Sequence, residues 1–188
     1  MANARRLKAL CAGLAIATVA LAGCSRFRAA ANAPDAPPTG PNDGNITAML
    51  MAANNTDISY AKLVPAHTSS PAVRDFATRM ITDHAAVNTA ITELVARTPI
   101  KPQENATSLS FRDESTAERE LLSRLYGRQF DSTYIAGEIA YHSSVIATLD
   151  NDLIPHARDA QLRQILVSVR PAVAAHLAHA QQVQSRLR

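Results

Sequence analysis

The segment PAVRDFATRMITDHAAVNTAITELVAR, residues 71–97, places apolar side chains three and four positions apart, which is the period of an α-helix. Its apolar face carries Val73, Phe76, Met80, Val87 and Ile91. Ser70 can cap the first turn, Pro71 suits the first helical position, and Pro99 predicts an end near Arg97. His84 falls on the same apolar face. A helix packed through that face would bury an imidazole.

The same period recurs in three other long segments, at about 45–64, 129–149 and 157–187. Pro171 lies inside the last of them and predicts a kink. Residues 98–114 are predicted to be a polar connection. Ser115 and Glu118 then have the spacing of a capping box, which predicts a short helix ending before Gly127. A further turn is predicted at residues 151–155.

No stretch of useful length alternates apolar and polar residues as a strand does, so the sequence predicts an all-α protein. Four long amphipathic helices within residues 45–187 are enough for one domain. The expected architecture is a four-helix bundle with an additional short helix before the third long helix. The connection after the second long helix is long enough to cross over, which favours a ferritin-like topology.

The first residues have the composition of a secretory signal, since three basic residues precede an uncharged apolar run from Ala9 to Ala22. The run is short for a transmembrane helix, so cleavage is expected. It ends in Leu21-Ala22-Gly23-Cys24, which resembles the lipobox of bacterial lipoproteins. The resemblance implies a signal peptide at residues 1–23 and acyl chains, such as palmitate, on Cys24. An ordinary signal peptide with a chance cysteine is the alternative.

The predicted place of the protein follows from the residues after Cys24. Ser25 stands where a retention signal for the inner membrane would have Asp. We therefore expect a lipid anchor in the inner leaflet of the outer membrane, with the protein facing the periplasm. Residues 24–44 are rich in Pro and Gly, which predicts an extended tether between the lipid and the helical domain.

Charge and cysteine content exclude several functions. Without residues 1–23, the chain has as many Lys and Arg as Asp and Glu, and it has no Trp. A neutral domain with few aromatic residues lacks the surface that binds nucleic acid. The two cysteines are Cys11 in the signal and Cys24, so neither a disulfide nor a thiolate metal site is expected.

Ligand-type side chains fall on the apolar face of each long helix: Asp57, His84, His142 and His176, with His179 on a neighbouring face. Burying such groups costs free energy unless each has a partner. One interpretation is a metal ion, because imidazoles and a carboxylate suit zinc, copper or iron. The other is that they bond one another and the hydroxyls of Tyr60, Tyr134 or Tyr141.

Two checks weaken a single metal site of familiar type. Measured from a reversal at Pro65, Asp57 lies about 12 Å along its helix and His84 about 20 Å along the next. Di-iron bundles carry Glu-x-x-His pairs. Ile81, Ile139 and Val173 stand in place of those glutamates, which disfavours oxygenase chemistry of that type.

Two acids near the histidines are assigned secondary roles. Glu138, one turn before His142, is interpreted as a solvated or capping charge, with an extra metal ligand as the alternative. Asp83 points about 100° away from His84 on the helix, so the two cannot face one ligand. Asp83 is expected to meet a surface Arg, or else to accept a hydrogen bond from a histidine of another helix.

The chain resembles a bacterial family named domain of unknown function 4142. The resemblance covers about residues 45–187 and rests on Met80-Ile81-Thr82-Asp83-His84, on residues 127–134 leading to His142, and on Pro171 to Leu177 around His176. It implies a helical bundle in the cell envelope with histidines at those positions. Asp57 stands where the family has Glu. The family brings no established activity, so the expected function is metal handling or envelope stress protection more than catalysis. A structural or partner-binding lipoprotein without metal is the alternative.

Overall fold

The structure is a computed structural model that describes residues 40–187. Within that range every regular element is helical, which confirms the all-α class. The predicted signal peptide, Cys24 and most of the predicted tether lie outside the described residues. The helices are α1 Asp43–Ala61, α2 Val64–His67, α3 Pro71–Arg97, α4 Ala106–Leu122, α5 Gly127–Thr148, α6 Ile154–His156 and α7 Ala160–Leu187. Between residues 40 and 187, each helix is too short or too polar to span a bilayer.

Local signals place most helix ends correctly. α3 begins at Pro71 and ends at Arg97 as predicted, and α7 continues through Pro171. α1 begins two residues earlier than predicted, because the side chains of Asn42 and Asn45 form a reciprocal capping box. The turn predicted at residues 151–155 is wrong in part, since a π-helical turn, Leu149–Leu153, carries the chain directly from α5 into α6.

The helix predicted before the third long helix is present, but it begins earlier than predicted, so the polar connection predicted at residues 98–114 is shorter. Residues 106–122 form one helix, α4, and the predicted capping residue Ser115 lies inside it. The N-cap is Asn105, whose side chain accepts from the Ser108 amide while the Ser108 hydroxyl accepts from the Asn105 amide. α4 ends at Leu122, and Gly127 opens α5 with φ of 55°, a conformation that glycine adopts most readily.

α4 packs along α1 and so changes the surroundings of α1. Buried residues occur on all sides of α1, including Ala48, Ala52 and Thr56 opposite the predicted apolar face. The Thr56 hydroxyl donates to the carbonyl of Phe111 in α4 at 3.1 Å. α1 also packs against α3, α3 against α7, and α7 against α5, whereas α5 touches α1 and α4 only sparsely. α1 is therefore the central helix of the domain.

The core is divided into two apolar clusters. The first includes Leu50 of α1, Ile91 of α3, Leu149 after α5 and Leu166 of α7. The second is formed by the other ends of the same helices and includes Val64, Phe76, Phe130, Ile135 and Val183. On each of the four long helices, a buried side chain of ligand type lies between the two clusters: Asp57, His84, His142 and His176. A polar layer therefore crosses the domain between two apolar ends.

Candidate metal centre

The polar layer brings three imidazoles and a carboxylate together. Asp57 Oδ2 lies 3.2 Å from His84 Nε2 and 3.4 Å from His142 Nε2. The ring of His176 is centred 5.3 Å from that of His84 and 5.5 Å from that of His142. One ligand nitrogen from each of the three histidines lies within 4.8 Å of the other two. All four side chains are buried, with residue exposures of 5% or less.

Each imidazole is held by a second group on its outer nitrogen. His84 Nδ1 lies 2.8 Å from Asn54 Oδ1, and His142 Nδ1 lies 2.9 Å from the carbonyl oxygen of Glu138. His176 Nε2 lies 2.8 Å from Asp83 Oδ2. Because these oxygens accept hydrogen bonds, each outer nitrogen carries the proton and donates it. In a neutral ring the inner nitrogen then presents a lone pair to the centre.

The inner atoms have no hydrogen bonds. His84 Nε2, His142 Nε2, His176 Nδ1 and both oxygens of Asp57 are buried without a hydrogen-bond partner anywhere in residues 40–187. Leaving a buried acceptor unpaired costs about 1–3 kcal/mol, more if it is charged. Three imidazole lone pairs that face one another, with the Asp57 carboxylate beside those of His84 and His142, are a donor set that a divalent transition metal binds. The residues present therefore fit such an ion.

The surroundings shift the pKa values of His176 and His142 in opposite directions. Burial and the neighbouring rings of His84 and His142 outweigh the hydrogen bond to Asp83 and lower the pKa of His176, which favours a neutral ring with its lone pair free. Burial also opposes the charge on His142, but the adjacent Glu138 and Asp57 outweigh it and raise its pKa. His142 therefore holds a proton against the metal more readily than His176 does.

Asp57 and His84 meet because the first reversal of the chain comes later than predicted. α1 is followed by the extra helical turn of α2, so the chain reverses at residues 68–70 and not at Pro65. Counted from there, Asp57 lies about 16 Å and His84 about 20 Å along antiparallel helices. The predicted mismatch in height was wrong for this reason.

Glu138 is buried, so its interpretation as a solvated or capping charge is wrong. The residue is 1% exposed, and its Oε2 lies 3.3 Å from His142 Nδ1. Both carboxylate oxygens are without a hydrogen-bond partner in the described part of the chain. Burial, together with the charge of Asp57, raises the pKa of Glu138 to about 7. Its carboxylate, with Asp57 and His142, forms a second group of ligand atoms within 4.8 Å of one another.

The family model described as "Domain of unknown function (DUF4142)" matches residues 28–183. The chain belongs to this family. The DUF4142 match contains all four members of the polar layer, and it begins inside segment 24–44, the predicted tether. No curated protein and no solved structure matches the chain.

Asp83 and His179, the remaining candidate residues, take different positions in this DUF4142 domain. Asp83 combines both predicted roles, since Oδ2 accepts from His176 at 2.8 Å and lies 3.4 Å from Nε of Arg79. His179 is half-buried, with its ring 5.3 Å from that of Phe76, and it does not belong to either group of ligand atoms. Asp83 therefore supports the site, and His179 lies outside it.

Asn54 is the functional residue that sequence reasoning missed. It is 2% exposed and orients His84, and its own Nδ2 donates to Asn88 Oδ1 at 3.0 Å. Asn88 in turn donates to Asn55 at 2.8 Å, which fixes the orientation of the Asn54 amide. A signal was present, because Asn54 precedes Asp57 by three residues and shares its helix face.

Proposed function

We propose that this protein binds one transition metal ion through His84, His142, His176 and Asp57. One observation carries the proposal. The three imidazoles turn inner nitrogens without hydrogen bonds toward one another, Asp57 lies beside those of His84 and His142, and the outer nitrogen of every ring is already held. Such outer contacts fix the tautomer and orientation of metal-binding histidines.

The donor set narrows the choice of metal and of activity. Imidazole nitrogens with one carboxylate suit zinc, copper or iron better than calcium or magnesium. Four protein donors complete a tetrahedral shell, and a closed shell is typical of structural or storage sites. We infer that the ion is held and handled, in a metal-handling or envelope-stress role, and that turnover is not its main purpose.

We further propose that the domain is held at the outer membrane, facing the periplasm, by acyl chains on Cys24. The lipobox-like Leu21-Ala22-Gly23-Cys24 supports this, and the ferritin-like description of the helical bundle is part of the same proposal. Cys24→Ser should move the protein from the membrane fraction to the soluble fraction. Continued sedimentation with membranes would refute the anchor.

The metal proposal is tested on protein produced without residues 1–24. We expect about one equivalent of bound zinc, copper or iron, and loss of the metal in H84A, H142A and H176A. H179A is the matched control, because it removes a nearby half-buried imidazole that lies outside the site. Folded protein that contains no metal and takes up none of the three ions on titration would overturn the proposal.

The alternative is a structural or partner-binding bundle that uses no metal. The contacts of Asp57 with His84 and His142, at 3.2 and 3.4 Å, favour it, since one protonated ring could pair with the carboxylate. If the protein uses no metal, H176A should leave the contacts of Asp57 with His84 and His142 intact. Stability that is independent of added zinc and of chelators would support this alternative.

A further inference from the structure

A cavity of about 600 Å³ lies between α4 and α5, beside α1. It exists because α5 packs broadly on α7 but touches α4 only sparsely. Gly137 contributes to the opening, since a Cβ at this position would lie 3.0 Å from the Glu118 carboxylate of α4. The volume is within the range of about 300–1,000 Å³ that is typical of small-molecule sites.

The walls of the cavity are aromatic and apolar, with acidic groups at intervals. Tyr60, Tyr134 and Tyr141 contribute phenol rings, and leucines of α4 add aliphatic surface. Glu114, Glu118 and Glu138 contribute carboxyl groups. Of the cavity-lining residues within 40–187, none is Lys, Arg or His. A ligand with negative charge is therefore disfavoured by the lining alone.

One of the three acids, Glu138, is buried and is therefore not part of a cluster of surface charge. Glu138 lines the cavity, is 1% exposed, and neither of its oxygens has a hydrogen-bond partner among the described residues. The hydroxyl of Tyr134, which is also 1% exposed, is unpartnered as well. The nearest donors are His142 Nδ1, which lies 3.3 Å from Oε2 but is directed to a backbone carbonyl, and the adjacent Tyr134 hydroxyl, so the buried carboxyl group is left short of donors on the cavity side.

We propose that this cavity binds an organic cation, namely an ammonium group on an apolar body, with its nitrogen at Glu138 and its body among the three tyrosines. An ammonium group supplies the hydrogen-bond donors and the charge that Glu138 lacks. The faces of phenol rings attract cations, most strongly where water is excluded. A hydrated inorganic cation would satisfy the carboxylates but would leave the aromatic and leucine walls without a partner.

The proposal is separate from the metal site. Glu138 lies 3.3 Å from His142, but it is not one of the four proposed metal ligands and does not belong to the group of ligand atoms formed by the three histidines. The binding experiment is therefore made on chelator-treated protein, and metal content is measured on a separate sample. A negative result in the binding experiment then does not bear on the metal site, and absence of metal does not bear on the cavity.

Three probes that share one ring separate charge from shape: benzylammonium, benzyl alcohol and benzoate. Isothermal titration at neutral pH should show one site for benzylammonium, binding of the alcohol that is weaker by about tenfold or more, and no binding of benzoate. Equal affinity for benzylammonium and the alcohol would overturn the proposal, as would no binding of benzylammonium. Full displacement of benzylammonium by millimolar magnesium chloride at constant ionic strength would identify an inorganic cation site and overturn it too.

Two variants locate the site. Glu138→Gln should weaken benzylammonium by about tenfold or more and leave benzyl alcohol nearly unchanged, because only the charge is removed. Glu120→Gln, an exposed position of α4 outside the cavity, is the matched control and should bind like the wild type. Wild-type affinity in E138Q would contradict the proposal.

Gly137→Leu fills the cavity with a side chain and should abolish binding of both probes. Circular dichroism checks that each variant is folded. Gly137→Leu still tests the site if Glu138→Gln does not fold. Unchanged benzylammonium binding by folded G137L would place the ligand elsewhere and refute this site.

Discussion

Asp57 separates two buried polar regions that differ in what surrounds them. On one side, three imidazoles present inner lone pairs, and their outer nitrogens are held by Asn54, Asp83 and a backbone carbonyl. In the second region, the Glu138 carboxyl has no hydrogen bond of good geometry, although His142 Nδ1 lies 3.3 Å away, and a cavity of about 600 Å³ adjoins it. The first region is closed and ordered around a point, which suits a bare ion. The second is open and shaped, which suits a molecule.

The difference shows that burial alone does not identify the partner of a polar group. Asp57 and the three histidines are 5% exposed or less, and Glu138 is 1% exposed. What distinguishes them is whether the atoms behind each ligand atom are already bonded, and whether space remains in front of it. The following changes test that distinction, from the largest expected effect to the smallest.

Asp57→Asn should have the largest effect, because it removes the charge that both regions share. We expect zinc affinity to fall by more than about 100-fold, beyond what loss of an outer contact costs. Competition with a chromogenic chelator measures it. Asp75→Asn, at an exposed position of α3, is the control and should bind zinc normally. If D57N binds zinc as tightly as the wild type, the Asp57 carboxylate is not a metal ligand and does not link the two regions.

Glu138→Gln should change the stability of the metal-free protein in a pH-dependent way. Because burial and Asp57 raise the pKa of Glu138 to about 7, the folded state keeps this proton while the unfolded state releases it near its ordinary value of 4.5. The unfolded state then binds fewer protons, so stability falls as the pH rises from 4.5 to 7. The loss contributed by Glu138 is up to roughly 3 kcal/mol at neutral pH.

Urea unfolding of wild type and E138Q at several pH values measures this effect. The variant should lack that part of the fall, so the difference between the two curves should grow from pH 4.5 to 7 and then level off. Glu138 itself raises the pKa of His142, so the titration of that ring is part of the difference, whereas the contributions of the other histidines are largely common to both proteins and cancel. A constant difference across this range would mean that Glu138 ionises normally.

Asp83→Asn tests the outer contacts of the imidazole region with a smaller expected effect. The amide can still occupy the space and accept through its oxygen, but it no longer carries the charge that stabilises the His176 proton on Nε2. Loss of such an outer carboxylate typically costs about 10- to 100-fold in metal affinity. Zinc competition checks it, with Asp113→Asn on exposed α4 as control. Unchanged affinity would show that the tautomer of His176 needs no support from α3.

The sequence predicted those features of the site that depend on one helix at a time. The inward faces of α3, α5 and α7 follow from apolar spacing, which is why His84, His142 and His176 could be proposed as a group. The ends of α3 follow from Pro71 and the proline after Thr98, which are local signals as well, whereas Ser70 takes the N-cap position without the predicted side-chain hydrogen bond. Local periodicity therefore sufficed for the histidines and for the all-α class.

The features that sequence reasoning missed depend on packing between distant segments. α4 is polar on most of its surface, and Ser108 and Phe111 are buried only because α1 offers a second face. Glu138 looks like an exposed acid unless the neighbouring helices that bury it are known. Asn54 is distinguished from Asn55 only by its partner on α3. No local pattern contains those contacts.

Asn88→Ala should have the smallest effect, because Asn88 acts on the metal site only through Asn54. It accepts from Asn54 Nδ2, so that Asn54 Oδ1 faces His84 Nδ1. Without Asn88 the amide of Asn54 can turn and present its NH₂ group, which would place the His84 proton on Nε2 and remove the inner lone pair. The contact is one net hydrogen bond, so zinc affinity should fall only about two- to tenfold.

Asn88→Asp separates this orienting role from simple packing. A carboxylate at position 88 still accepts from Asn54, so N88D should restore most of the affinity that N88A loses. Thr89→Ala, on the exposed face of α3, should bind zinc like the wild type. If N88A and N88D lose affinity equally, Asn88 acts by filling space, and the orientation of Asn54 is set by His84 and its own helix.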